Sequence, residues 1–116
     1  KKYLFVDGGM TDNIRPALYQ AKYEVINPVR LSGEKVLVDV VGKCCESGDI
    51  VSKDTLISFE SGDPILVLST GAYGYSMSSN YNQLPKPAVV FTYEGKDRLV
   101  VRRQTFDDLV LFDVED

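Results

Sequence analysis

Lys35-Val36-Leu37-Val38-Asp39-Val40-Val41 is the clearest β-strand in the sequence, and its pattern decides the fold class. Val36, Val38 and Val40 alternate onto one face, and Leu37, Asp39 and Val41 fall on the other. Both faces are largely apolar and are expected to be covered, as in a barrel or sandwich. Working outward, residues 3–6, 23–26, 55–59 and 65–70 are further β-rich runs, the last expected to be deeply buried. Turn formers separate them: Asp7-Gly8-Gly9, Asn27-Pro28, Leu31-Ser32-Gly33-Glu34 and Ser61-Gly62-Asp63-Pro64. Residues 88–93 and 98–103, joined by Glu94-Gly95-Lys96-Asp97, make the best hairpin.

Two short helices complete the reading. Thr11 or Asp12 can cap one that runs through Leu18 with Pro16 in its first turn, where a missing N–H costs little. Thr105 can cap the other, through about Leu111, with Phe106, Leu109 and Val110 on one face. No long helices alternate with the strands, so a parallel sheet is not expected. The expected fold is mainly β: an antiparallel, Greek-key-like β-barrel or sandwich with a few short helices, forming one domain over residues 1–116.

Composition narrows the function. The net charge of −4 argues against a nucleic-acid partner, because such binding depends on clustered Lys and Arg neutralising phosphates. The basic group Lys96, Arg98, Arg102 and Arg103 reads as a solvated face or a domain contact. The longest apolar runs are far shorter than the roughly 20 residues of a membrane span, so no membrane partner is expected. There is no histidine, which excludes His-ligated zinc and Ser-His-Asp chemistry within the chain, and no metal site is expected. The only cysteines, Cys44 and Cys45, are adjacent and poorly placed for a disulfide framework, which fits a reducing, cytoplasmic setting. The chain opens Lys1-Lys2-Tyr3 without an initiator Met and enters a strand at once, as expected of a piece of a longer protein.

Three segments concentrate glycine and polar residues where strands end. They are Asp7-Gly8-Gly9-Met10-Thr11-Asp12-Asn13-Ile14-Arg15-Pro16-Ala17-Leu18-Tyr19, then Gly42-Lys43-Cys44-Cys45-Glu46-Ser47-Gly48-Asp49, and Gly71-Ala72-Tyr73-Gly74-Tyr75-Ser76-Met77-Ser78-Ser79-Asn80-Tyr81-Asn82. In this order, and followed by Arg102-Arg103-Gln104-Thr105-Phe106-Asp107-Asp108-Leu109, they resemble the C-terminal domain of the diaminopimelate decarboxylases. These pyridoxal phosphate (PLP) enzymes join an alanine-racemase-like barrel to a β domain. Lys43-Cys44 departs from the apolar pair or Pro that relatives often carry before the second Cys.

The resemblance implies a role for each residue. Cys45 would be the proton donor that follows loss of the carboxylate, a task suited to a thiol, whose unperturbed pKa of about 8.5 keeps it protonated at neutral pH. Cys44 would only pack. Glu46 would accept the distal ammonium of the substrate, and Arg15 would pair its planar fork with the distal carboxylate. Tyr19, at i+4 from Arg15, would add a hydroxyl, and Tyr73 would stand at the pocket of cofactor and substrate. The lysine that carries PLP is assigned by the same resemblance to an N-terminal barrel absent from this chain. The fragment alone is therefore expected to be inactive, and the complete enzyme to be a homodimer whose Cys-Glu loop serves the neighbouring subunit's pocket. A related decarboxylase of ornithine, arginine or carboxynorspermidine is the nearer alternative, and a non-catalytic β-barrel interaction module the more distant one.

Overall fold

The computed structural model describes residues 1–116. Its elements run β1 (Tyr3–Phe5), α1 (Arg15–Tyr19), β2 (Val25–Ile26), β3 (Val36–Val41), β4 (Ile50–Ile57), β5 (Leu66–Val67), β6 (Val89–Tyr93), β7 (Lys96–Val101) and α2 (Phe106–Leu109). The chain is thus mainly β with short helices, as expected. It divides into two compact units, Lys1–Ser78 and Ser79–Asp116.

In the first unit β3 is the central strand of a sheet ordered β1-β3-β4, and β2 pairs with β5 in a second, two-stranded sheet. Val38 and Val40, on one face of β3, form the core with Val25 and Ile57. Val40 is wholly excluded from solvent, and burying a valine to that degree stabilises by about 1.5–3 kcal/mol. The opposite face is less covered than its apolar pattern implies. Leu37 and Leu56, cross-strand partners, are 55% and 60% exposed. On that same face Asp39 is buried, ion-paired to Lys1 at 2.7 Å, and accepts the Asp54 N–H at 2.9 Å. These contacts, the Lys1 bond foremost, hold its carboxyl below the usual range.

Three expectations need correction here. Although β3–β4 and β2–β5 are antiparallel, β1 runs parallel to β3. A parallel pair needs only a long crossover, and the segment from residue 6 to residue 35, carrying α1, supplies it without a long helix. β4 begins at Ile50, five residues before the apolar pattern starts, because backbone pairing with β3 at the sheet edge tolerates Ser52, Lys53 and Asp54. Finally, β5 is not deeply buried: it is two residues long, pairs only with β2, and leaves Leu66 44% exposed.

The second unit is built on the hairpin β6–β7. Its closing pair is Tyr93 and Lys96. The two-residue turn between them, Glu94-Gly95, has φ of 49° and 73°, the positive pair that matches strand twist in a primed turn. Arg102 binds Asp108 through both carboxylate oxygens at 2.6 and 2.8 Å, and Asp108 accepts the Thr105 N–H at 2.7 Å, closing the start of α2. Arg102 foremost, then the Thr105 N–H, holds the Asp108 carboxyl far below its ordinary range. The helix expected through about Leu111 stops at Leu109, and on its apolar face Phe106 and Val110 are exposed. No helix of the chain is long and apolar enough to cross a membrane.

Candidate active site at the strand ends

The loop between β3 and β4 carries Cys45 and Glu46, and backbone hydrogen bonds define its shape. Gly42 N–H donates to the Asp49 carbonyl at 3.0 Å, and Asp49 N–H donates to the Glu46 carbonyl at 2.9 Å. The Asp49 side chain turns inward and is 4% exposed. Its Oδ2 accepts the Cys44 N–H at 2.8 Å and its Oδ1 the Met10 N–H at 2.7 Å, so one carboxylate joins this loop to the loop before α1. Two glycines make room for it. A Cβ on Gly42 would collide with both carboxylate oxygens, and one on Gly9 would lie 2.8 Å from the nearer.

Within this frame the two cysteines differ sharply. Cys44 is buried, and its thiol is pushed up from its ordinary pKa by burial first and by Asp49 second, which keeps it neutral. Cys45 is exposed and takes a left-handed backbone, φ 52°, a conformation that costs a non-glycine residue about 1–2 kcal/mol. Such outliers persist where the surrounding structure over-determines them. Glu46 is exposed, and its Oε1 accepts the Ser47 hydroxyl at 3.2 Å and the Gly48 N–H at 3.4 Å.

The loop before α1 folds differently from its sequence reading. Neither Thr11 nor Asp12 caps the helix, which begins only at Arg15 after Ile14, with Pro16 in its first turn. Asp12 instead closes its own turn, accepting the Gly9 N–H at 3.0 Å while its N–H donates to the Gly9 carbonyl. Burial, the largest influence, raises the Asp12 carboxyl above its ordinary range. The N-cap is Ile14, which has no side-chain capping bond; Asn13, just before it, accepts the Arg15 N–H through Oδ1 at 3.3 Å. Beyond α1, Gln20 ends the helix in a left-handed conformation and donates its N–H to the Pro16 carbonyl.

Arg15 is the hub of the remaining candidates. Its guanidinium lies over the Tyr19 ring at 5.2 Å and the Tyr73 ring at 4.7 Å, and Nη1 donates to Met77 Sδ at 3.9 Å. The i+4 spacing of Arg15 and Tyr19 thus produces the shared face expected of it. Tyr73 is 62% exposed, with φ of 64°. The structure therefore brings Arg15, Tyr19 and Tyr73 together. No hydrogen bond, ion pair or ring contact joins Cys45 or Glu46 to them. Asp49, which links the two loops, was missed by the sequence reading, as was Met77. No local signal marks Asp49: its closeness to Gly9 and Gly42 exists only in the folded chain.

Residues 1–71 match the family described as pyridoxal-dependent decarboxylase, C-terminal sheet domain. The chain belongs to that family. More particularly, it is 52% identical over 116 residues to the diaminopimelate decarboxylase of Bacillus subtilis, covering 98% of this chain and 26% of that protein. It is 48% identical to that of Staphylococcus aureus, covering 98% and 28%. Among solved structures, the diaminopimelate decarboxylase of M. jannaschii in co-complex with L-lysine superposes with a TM-score of 0.92 at 36% identity, covering 98% of this chain and 26% of that one. The chain thus spans about a quarter of the length of the relatives it matches.

Proposed function

We propose that this chain is the C-terminal part of a diaminopimelate decarboxylase, a cytoplasmic enzyme converting meso-diaminopimelate to L-lysine. The observation that carries the reading is the 52% identity to a relative of that name over 98% of the chain. The charges of the candidate site support the same substrate class. Glu46 is an exposed carboxylate suited to an ammonium, and Arg15 a planar cation suited to a carboxylate. The distal end of diaminopimelate carries both groups, whereas ornithine and arginine lack the second. A site built for a charged group rejects an analogue without it, since its own charge is left unpaired.

Tyr73 fits a cofactor role in part: its phenol is exposed and can donate a hydrogen bond to an anionic ligand edge such as a phosphate. PLP, when bound, would supply the electron sink for decarboxylation. Arg15 and Glu46 would fix the distal end of the substrate, and Tyr19 would brace Arg15 by stacking. Cys45 Sγ–H would deliver a proton to the carbon that has lost its carboxylate, with the thiolate reprotonated from solvent. The lysine that carries PLP belongs in this reading to an N-terminal barrel, and the exposed Cys45-Glu46 loop serves the pocket of a second copy in a homodimer.

The decisive experiment is Cys45→Ala in the complete enzyme. We expect kcat for lysine formation to fall about 100-fold or more, the usual worth of a positioned acid, with diaminopimelate KM little changed. Unchanged turnover would sink the catalytic reading. Turnover of ornithine or arginine in preference to diaminopimelate would move the enzyme to a neighbouring specificity.

A further inference from the structure

We propose that Asp49 is a positioning residue of this site, acting through Cys45; the inference rests on the catalytic reading of Cys45 given above. A buried carboxylate in an apolar surrounding is retained only where it is well bonded. Asp49, 4% exposed, spends its two oxygens on two backbone N–H groups rather than on a cation: Oδ2 on Cys44, the residue next to Cys45, and Oδ1 on Met10, in the loop that leads to Arg15. Its own backbone closes the ring, bonded to Gly42 at the end of β3 and to Glu46. Every end of the segment that bears Cys45 and Glu46 is therefore referred to one residue.

This arrangement accounts for two otherwise unexplained features. Cys45 keeps a left-handed backbone because the N–H before it and the carbonyl after it are both held by Asp49, leaving little freedom to relax. Gly9 and Gly42, on separate loops, are both needed because the Asp49 carboxylate occupies the space of their side chains. Asp49 touches no substrate in this arrangement. Its effect is to fix where the Cys45 thiol stands relative to the end of β3 and the backbone of Met10, the frame that presents the loop.

The test is a double-mutant cycle in the complete enzyme. Asp49→Asn keeps the shape but replaces one acceptor oxygen with a donor, which must face either the Met10 or the Cys44 N–H. We expect kcat to fall about 10- to 100-fold, with diaminopimelate KM changed less, while in a Cys45→Ala background the same substitution costs less than about 3-fold. Equal losses in both backgrounds would overturn the proposal, since a general structural defect does not depend on the thiol. Should Asp49→Asn fail to fold, Gly9→Ala crowds the same carboxylate from the other loop with its charge kept, and the same non-additivity with Cys45→Ala is required of it. Cys45→Ala without effect on its own would retire the catalytic reading. A strong Cys45 effect with additive Asp49 losses would retire only the role of Asp49.

Discussion

The Cys45 loop and the Arg15 cluster sit in one unit at the ends of its strands, yet they are held by opposite means. Around Cys45 the positioning is done by backbone: N–H groups bonded to carbonyls and to one buried carboxylate. Around Arg15 it is done by side chains: a guanidinium stacked on two exposed phenol rings and touching a thioether. The first device holds an atom at one place and tolerates little substitution. The second fixes a charge near a surface and can adjust to what it meets, as cation–π contacts at exposed sites are worth only about 0.5–1 kcal/mol each. The proton donor we propose would need the former, because transfer depends on reach and alignment, and the proposed clamp for a substrate carboxylate could use the latter.

Three substitutions in the complete enzyme would sharpen or break this contrast. The largest effect is expected from Arg15→Lys, which keeps the charge but removes the planar fork: diaminopimelate KM should rise about 10-fold or more with kcat reduced far less. A fall confined to kcat would show that Arg15, like the Cys45 loop, works by alignment. Tyr19→Phe comes next. Stacking survives and the hydroxyl is lost, so kcat/KM should drop by no more than about 3-fold, roughly the worth of one solvent-exposed hydrogen bond; a drop as large as that of Arg15→Lys would make the phenol a direct substrate contact.

The smallest effect is expected from Asp12→Asn, and its value lies in comparison with Asp49. Asp12 accepts a single N–H, which an amide oxygen can still do, and burial raises its folded-state pKa above the unfolded value. A raised carboxyl contributes fully below the unfolded pKa, and its contribution is lost as pH rises through the folded one. Above that window the charged Asp12 is a burden that Asn does not carry. Thermal unfolding followed from pH 3 upward should therefore show the variant at least as stable as the parent at neutral pH, with that advantage disappearing at the acid end. A variant much less stable at neutral pH would place Asp12 with Asp49 among the residues that hold the loops.

Much of this protein was legible without coordinates. The β6–β7 hairpin was legible from its turn, although the turn is Glu94-Gly95 alone, and Lys96 and Asp97, read as turn residues, open β7. The capping of α2 by Thr105 is likewise local, although its reciprocal partner Asp108, three residues on, was not read from the sequence. Arg15 and Tyr19 were joined by helical spacing alone. Less legible was the first half of β4, since Ser52-Lys53-Asp54 has no apolar alternation and is a strand only because β3 lies beside it. The exposure of Leu66 was hidden for the converse reason: an apolar run shows that a surface can be buried, and the number of neighbouring strands decides whether it is.

By itself, then, the sequence determined the elements whose causes lie within a few residues: turns, the cap of α2, the alternation of β3, and the polar segments that carry Arg15, Cys45 and Tyr73. The tertiary structure alone decided the parallel pairing of β1 with β3, the stacking of Tyr73 on an arginine far away in the chain, and the use of Asp49 as a bridge between loops. Those depend on which distant backbone atoms arrive together. An aspartate after a glycine is an ordinary turn residue until burial strips its water and two remote N–H groups replace it.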